Sequence, residues 1–188
     1  MGDLLAQSCS SYSGQQTAKV STFDQLSCAI AEDVPSITVN ASISFPTEIY
    51  ISSPGVAFSL IGENNAVLSA QSTRLFNISA SDVTFTNLAL LGSSSTASSV
   101  EKGGLVFAQQ TSLSFLNTSL SNGASLCGAA LNLVSSQLLL SNSSVSNNAA
   151  SSTQACGGAL HLSSGSAELV QVLLTNNSGG QGGGIYVG

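Results

Sequence analysis

"CGGALHL", residues 156–162, has near-copies at 127–133 ("CGAALNL") and 182–187 ("GGGIYV"), and a looser relative at 102–107 ("KGGLVF"). Aligned on the apolar residue after each glycine pair, they place Leu105, Leu131, Leu160 and Ile185 in one column, at nearly even intervals. Two positions on, Phe107, Leu133, Leu162 and Val187 form a second column. That is the spacing at which a strand's side chains return to the same face.

Further columns follow. A second apolar pair recurs as Leu113/Phe115, Leu138/Leu140 and Ala167/Leu169, and a single apolar position as Leu120, Val145 and Leu174. Val83/Phe85 and Leu90 fit the same frame one repeat before Leu113/Phe115 and Leu120, and "VAF" at 56–58 reads as one turn earlier. A unit of this length therefore holds three short strands separated by turns. One such unit cannot bury its apolar side alone, so neighbours must stack. The expected fold is all-β: a right-handed parallel β-helix, a solenoid with about 25–30 residues per coil. Each glycine pair marks the same corner, where positive φ or close approach to the next coil is needed.

Asparagines keep the same phase. Asn87, Asn117 and Asn142 follow the second strand, with Gln171 in the fourth place, and Asn122, Asn147 and Asn176 follow the third. Asn tolerates the left-handed conformation and can bond to its stacked copy, so these six asparagines are expected to form structural ladders.

The ends differ. "TFDQLSCAIAE", residues 22–32, puts Phe23, Leu26, Ala29 and Ile30 on one helical face, with Thr22 and Gln25 as a capping box and Asp24 in the first turn. A short α-helix here suits a lid over the exposed first coil. The organisation expected is an N-terminal tail and capping helix over 1–35, then coils over 36–188 starting with "SITVNASISF" and "EIYI". "GGGIYVG" opens a coil and writes no cap, the pattern of a longer solenoid interrupted, with the open C-terminal end meeting further polypeptide or other protein chains.

Composition narrows the function. Only 6% of the residues are charged, net charge is −6, and the basic residues are Lys19, Arg74 and Lys102. No basic stripe for nucleic acid or anionic lipid can be assembled from three cations. No apolar run reaches the length of a membrane span. The opening "MGDLLAQSCSSYSG" has no basic end or apolar stretch of a secretory leader; the cysteines and sequons favour a numbering that begins after one was removed.

With "LTNNSGGQGGGIYV" at 173–187 added, the chain resembles the polymorphic outer membrane protein repeats, known for a GGA-[ILV] motif and an FxxN motif. "GGAL" at 157–160 matches the first, and "GAAL" at 128–131 and "GGGI" at 182–185 are variants. The second is one residue short in "FTN" at 85–87, "FLN" at 115–117 and "LSN" at 140–142. The resemblance covers roughly residues 73–188. It implies a right-handed β-helix with a secreted or cell-surface, structural or adhesive role, and it carries over no catalytic residue.

Cys127 and Cys156 hold the same place in adjacent coils, where stacked residues lie about 4.8 Å apart, close to what a disulfide needs. Of the three possible pairings, Cys127–Cys156 with Cys9–Cys28 fits best. No CxxC or Cys-His cluster is written in the chain, so neither zinc nor any other cofactor is expected. Sequons at Asn40, Asn77, Asn117, Asn142 and Asn176 are candidate glycosylation sites, with Asn117 and Asn142 poor ones if their ladder faces inward.

Glycoside hydrolysis needs paired carboxylates. Asp3, Asp24, Glu32, Asp33, Glu48, Glu63, Asp82, Glu101 and Glu168 are scattered; Glu32/Asp33 sit at the end of the helix and Glu101/Lys102 at a corner. His161, between Leu160 and Leu162, points outward with Val106, Asn132 and Tyr186 expected as its stacked neighbours. The outward Thr84/Thr86 pair is replaced by Ser114/Leu116, Leu139/Ser141 and Glu168/Val170 in later coils, too irregular for an ice-binding face. The expectation is a non-enzymatic stalk, adhesive surface or assembly module of a larger extracellular or cell-surface protein. The alternative is a carbohydrate-binding or polysaccharide-cleaving β-helix with its catalytic coils beyond Gly188.

Overall fold

Strand, turn, strand, turn: the backbone winds in a flat spiral, and hydrogen bonds run between successive turns along the long axis. The computed structural model describes residues 9–93, 103–152, 156–180 and 182–188. Asp3, Glu101 and Lys102 lie outside the described residues. The strand pairings are parallel and make three long faces. The first face stacks Thr17–Val20, Ser36–Val39, Ala57–Gly62, Asp82–Thr86, Ser112–Leu116, Gln137–Ser141 and Ser166–Val170. The second stacks Ile43–Phe45, Val67–Ala70, Ala89–Leu91, Ser119–Ser121, Ser144–Ser146 and Leu173–Thr175. The third stacks Ile49–Ile51, Phe76–Ser79, Val106–Gln109, Leu131–Val134, Leu160–Ser163 and Ile185–Val187. Six turns of a parallel β-helix result.

Inward columns fill the axis. Leu60, Phe85, Phe115, Leu140 and Leu169 stand in register on the first face, and Leu68, Leu90, Leu120, Val145 and Leu174 on the second. Through the middle runs a chain of rings, Phe45, Phe76, Phe85 and Phe115, with successive centroids 5.0–5.3 Å apart. "VAF" enters the frame as Phe58 opposite Val83, with Leu60 opposite Phe85, two positions later than its first residue suggests.

One register departs from the sequence reading. Leu131 pairs with Leu160, and Leu160 with Ile185, as expected, but the partner of Leu131 on the preceding turn is Val106, and Leu133 faces Ala108. The step is thus one position shorter than the glycines suggest, and it equals the steps from Leu113 to Leu138 and from Leu120 to Val145 on the other faces. "KGGLVF" carries Leu105 where the later copies carry Ala130 and Ala159, whose carbonyls receive the amides of the preceding turn. Leu105 is buried at the corner, and Phe107 points out of the solenoid instead of into it.

The corners explain the glycines. Gly103 and Gly128 have φ of 62° and 59°, and a Cβ on Gly157 would lie 1.9 Å from the Leu160 carbonyl oxygen. In each case the glycine lets the corner fold back over the strand that follows. Cys127 and Cys156, immediately before Gly128 and Gly157, are joined by a disulfide with Cα atoms 5.0 Å apart.

The first end is lidded by helix α1, Phe23–Ala31. Thr22 Oγ1 accepts from the Gln25 amide at 3.3 Å, and Gln25 Oε1 accepts from the Ser21 amide at 2.8 Å. Leu26, Ala29 and Ile30 are buried and Phe23 meets Phe45 edge-on at 5.3 Å, extending the ring chain into the lid. Strand Thr17–Val20 was not foreseen; it adds a seventh rung to the first face before the helix. A second disulfide, Cys9–Cys28, ties the tail to α1. At the other end Leu169, Leu174 and Ile185 are only half-buried, whereas Leu140, Val145 and Leu160, one rung earlier, are fully enclosed.

Candidate binding face

Parallel stacking turns each outward position into a column, so the surface chemistry is set by what repeats every turn. On the third face the outward column reads Tyr50, Asn77, Phe107, Asn132, His161 and Tyr186. The neighbour of Asn132 is Phe107 rather than Val106, a consequence of the shortened step. The adjacent outward column carries Ser79, Gln109, Val134 and Ser163, with Gln109 Nε2 donating to Ser79 Oγ at 3.2 Å.

The first three rungs form a connected cluster. The Tyr50 hydroxyl donates to Glu48 Oε1 at 2.6 Å, Arg74 Nε lies 2.8 Å from Glu48 Oε2, and the Arg74 guanidinium sits over the Phe107 ring at 5.6 Å. Side chains of the ion pair are only 18% and 21% exposed, so water screens it weakly. The carboxylate accepts the phenol's hydrogen and repels a phenolate, which raises the Tyr50 pKa above the ordinary tyrosine value. Tyr50 itself is 66% exposed. Beside it a groove of about 770 Å³ runs between α1 and the strand Ile49–Ile51.

Further along, the glycine corner closes over the column. Asn132 is 2% exposed, and Gly128 packs against His161, where a Cβ would stand 3.0 Å from the histidine's own. His161 is half-buried and stacks on Tyr186, ring centroids 5.2 Å apart. The fold also brings its ring to the disulfide: Cys127, Cys156 and His161 offer ligand-type atoms within 4.8 Å of one another. Sequence spacing hid this Cys-His cluster because its members come from separate turns. With the sulfurs bonded to each other, no thiolate is available to a metal.

The asparagine columns occupy the corners. Asn87, Asn117, Asn142, Asn122, Asn147 and Asn176 have φ of 48–56°, as does Gln171 at 54°. Asn117 Nδ2 donates to Asn87 Oδ1 at 2.7 Å. Asn87, Asn117 and Asn142 face solvent and, with Asn65 and Gln171, line a trough of about 600 Å³ between the first and second faces. The inward ladder instead belongs to the residue after each left-handed one. Asn148 Oδ1 accepts from the Gly123 amide at 2.8 Å, and Asn177 Oδ1 accepts from the Asn148 amide at 3.0 Å. At the next corner Ser143 Oγ accepts from the Thr118 amide, and at the third Ser81 Oγ accepts from the Ser53 amide and Ser136 Oγ from the Thr111 amide. The sequon asparagines Asn117, Asn142 and Asn176 are therefore exposed, while Asn40 and Asn77 are half-buried and Asn40 accepts from Ser21 Oγ at 2.7 Å.

The acids are spread along the molecule, and four of them are engaged structurally: Glu63 pairs with Lys19 at 2.7 Å, Glu48 with Arg74, Asp33 accepts from Ser53, and Asp82 accepts from the Ser112 amide. Sequence reading placed Phe107 in an inward apolar column and gave no site role to Tyr50, Glu48 or Arg74; the signal that assigns Phe107 outward is the shorter step shared by the other two faces. No protein-family model, curated protein or solved structure matches the chain. Among the described residues, no helix is long and apolar enough to cross a membrane.

Proposed function

We propose that this chain is a rigid, non-enzymatic segment of a larger cell-surface or secreted protein, of the kind built from polymorphic outer membrane protein-type repeats, and that it serves as a stalk or adhesive surface. The observation that carries this reading is the disulfide between Cys127 and Cys156, which clamps two successive turns of an already hydrogen-bonded stack. Such a staple persists outside reducing compartments and stiffens a spacer. The surface around it is written in Ser, Thr and Asn with little charge, chemistry that hydrates well and accepts glycans at the exposed sequons. Half-buried Leu169, Leu174 and Ile185 at the far end suit docking of further turns or of a neighbouring chain.

Two measurements test it. Antibodies to the folded segment are expected to label intact cells or the medium, and beads coated with the oxidised protein to adhere to cells of the source organism. Labelling only after permeabilisation, with both cysteine pairs recovered as free thiols, overturns the location. Release of unsaturated products from an acidic polysaccharide in the presence of calcium overturns the non-enzymatic assignment.

A further inference from the structure

We propose that the outward column of the third face is a recognition strip for a neutral, extended glycan, with Tyr50 and Phe107 as its two platforms. This names the ligand class for the adhesive surface proposed above and rests on that reading. The first observation is where the aromatic residues go. The chain has seven Phe and three Tyr. Phe45, Phe58, Phe76, Phe85 and Phe115 are buried in the axis, and Phe23 and Tyr12 pack against the core at the lidded end. The other three, Tyr50, Phe107 and Tyr186, share a single outward column. Among the described residues, no outward position of the first or second face is aromatic. Tyr50 is 66% exposed and Phe107 and Tyr186 are half-buried, so all three lie outside the axial core that holds the other rings.

The second observation is what surrounds them. Asn77 stands between the two platforms, Glu48 holds the Tyr50 hydroxyl, Arg74 packs against one face of the Phe107 ring, and Ser79 and Gln109 stand in the next column. Rings that stack on C–H faces, flanked by amides, hydroxyls and one fixed carboxylate, are the groups that recognise a sugar's two kinds of surface. Glu48 and Arg74 cancel, leaving the patch without net charge, which suits a neutral ligand over an acidic polysaccharide or an anionic membrane.

Spacing supplies the third argument. Tyr50 and Phe107 are two rungs apart, roughly 10 Å at the usual strand separation. In an extended β-1,4-linked chain alternate units present the same face, so a two-unit repeat brings equivalent faces round at about that interval. The covered Asn132 separates this pair from His161 and Tyr186, which makes Tyr50–Asn77–Phe107 the principal site.

The test is titration of the oxidised protein, followed calorimetrically, with cellohexaose and chitohexaose, and with a polygalacturonate hexamer as the acidic comparison. Binding of a neutral hexamer is expected, weakened roughly tenfold or more, about 1.4 kcal/mol, in Tyr50→Ala/Phe107→Ala, and little changed in Thr84→Ala on the first face. Circular dichroism matching wild type shows that the double variant is folded. No binding of either neutral hexamer, stronger binding of the acidic one, or binding indifferent to the double substitution overturns the proposal. Bead adhesion separates the two readings: adhesion that survives Tyr50→Ala/Phe107→Ala sinks the strip alone, whereas wild-type beads that do not adhere sink the adhesive reading beneath it.

Discussion

Asn117 and Asn148 show how one residue type serves two ends. Asn117 holds a left-handed φ of 51° and faces water, so its value lies in backbone tolerance and in the bond to Asn87. Replacing it with Ala is expected to cost about 1 kcal/mol and with Gly close to nothing, read from denaturant unfolding. Asn148 is fully buried and satisfies both the Gly123 amide and the Leu120 carbonyl. Asn148→Leu strands both groups and is expected to cost about 3 kcal/mol in the same assay. Phase along the chain revealed that asparagines mark corners. It could not say which of two neighbours turns inward, because that follows from the left-handed residue reversing the alternation. Tyr50 offers a residue-scale titration. Its raised pKa means that the Glu48 contact stabilises the fold below the ordinary tyrosine pKa and that this contribution is lost as pH rises through the raised value. Ultraviolet titration is expected to find the Tyr50 phenol ionising late, and Glu48→Gln to return it toward the ordinary range.

At the level of elements, the glycine corner and the disulfide beside it act together. Gly157→Ala drives a methyl group into the Leu160 carbonyl, and a loss of about 3 kcal/mol is expected on thermal or chemical unfolding. Cys127 and Cys156 are bridged across a sequence separation of 29. The Cys127→Ser/Cys156→Ser pair is therefore expected to lose about 3 kcal/mol relative to the oxidised protein, measured by denaturant unfolding with and without reductant. Helix α1 was readable from Thr22, Gln25 and its apolar spacing, since capping and amphipathicity are local properties. Strand Thr17–Val20 was not readable. Ala18 and Val20 become core residues only because the strand Ser36–Val39 lies beside them, and no local pattern announces that.

For the whole molecule, the stack was legible because the same apolar columns recur, and the slip at Leu105 shows the limit. An apolar residue at a corner looks like an apolar residue on a strand, and only agreement among columns decides between them. Val106→Ala is expected to cost about 2 kcal/mol by denaturant unfolding. Phe107→Ala, losing little beyond the Arg74 contact, should cost about 1 kcal/mol or less; the reverse order would restore the register that the glycines suggest. The candidate face escaped notice for the same reason, since it consists of residues that meet only when the columns are set correctly. From the third turn onward two of the corners have fixed lengths. Phe85 to Leu90 is as long as Phe115 to Leu120, and Leu131 to Leu138 is as long as Leu160 to Ala167. The variation falls between the second and third faces, where the path from Val145 to Leu160 is longer than that from Leu120 to Leu131. That seam is where a tag, an epitope or a whole foreign domain could be spliced in while the other corners keep time.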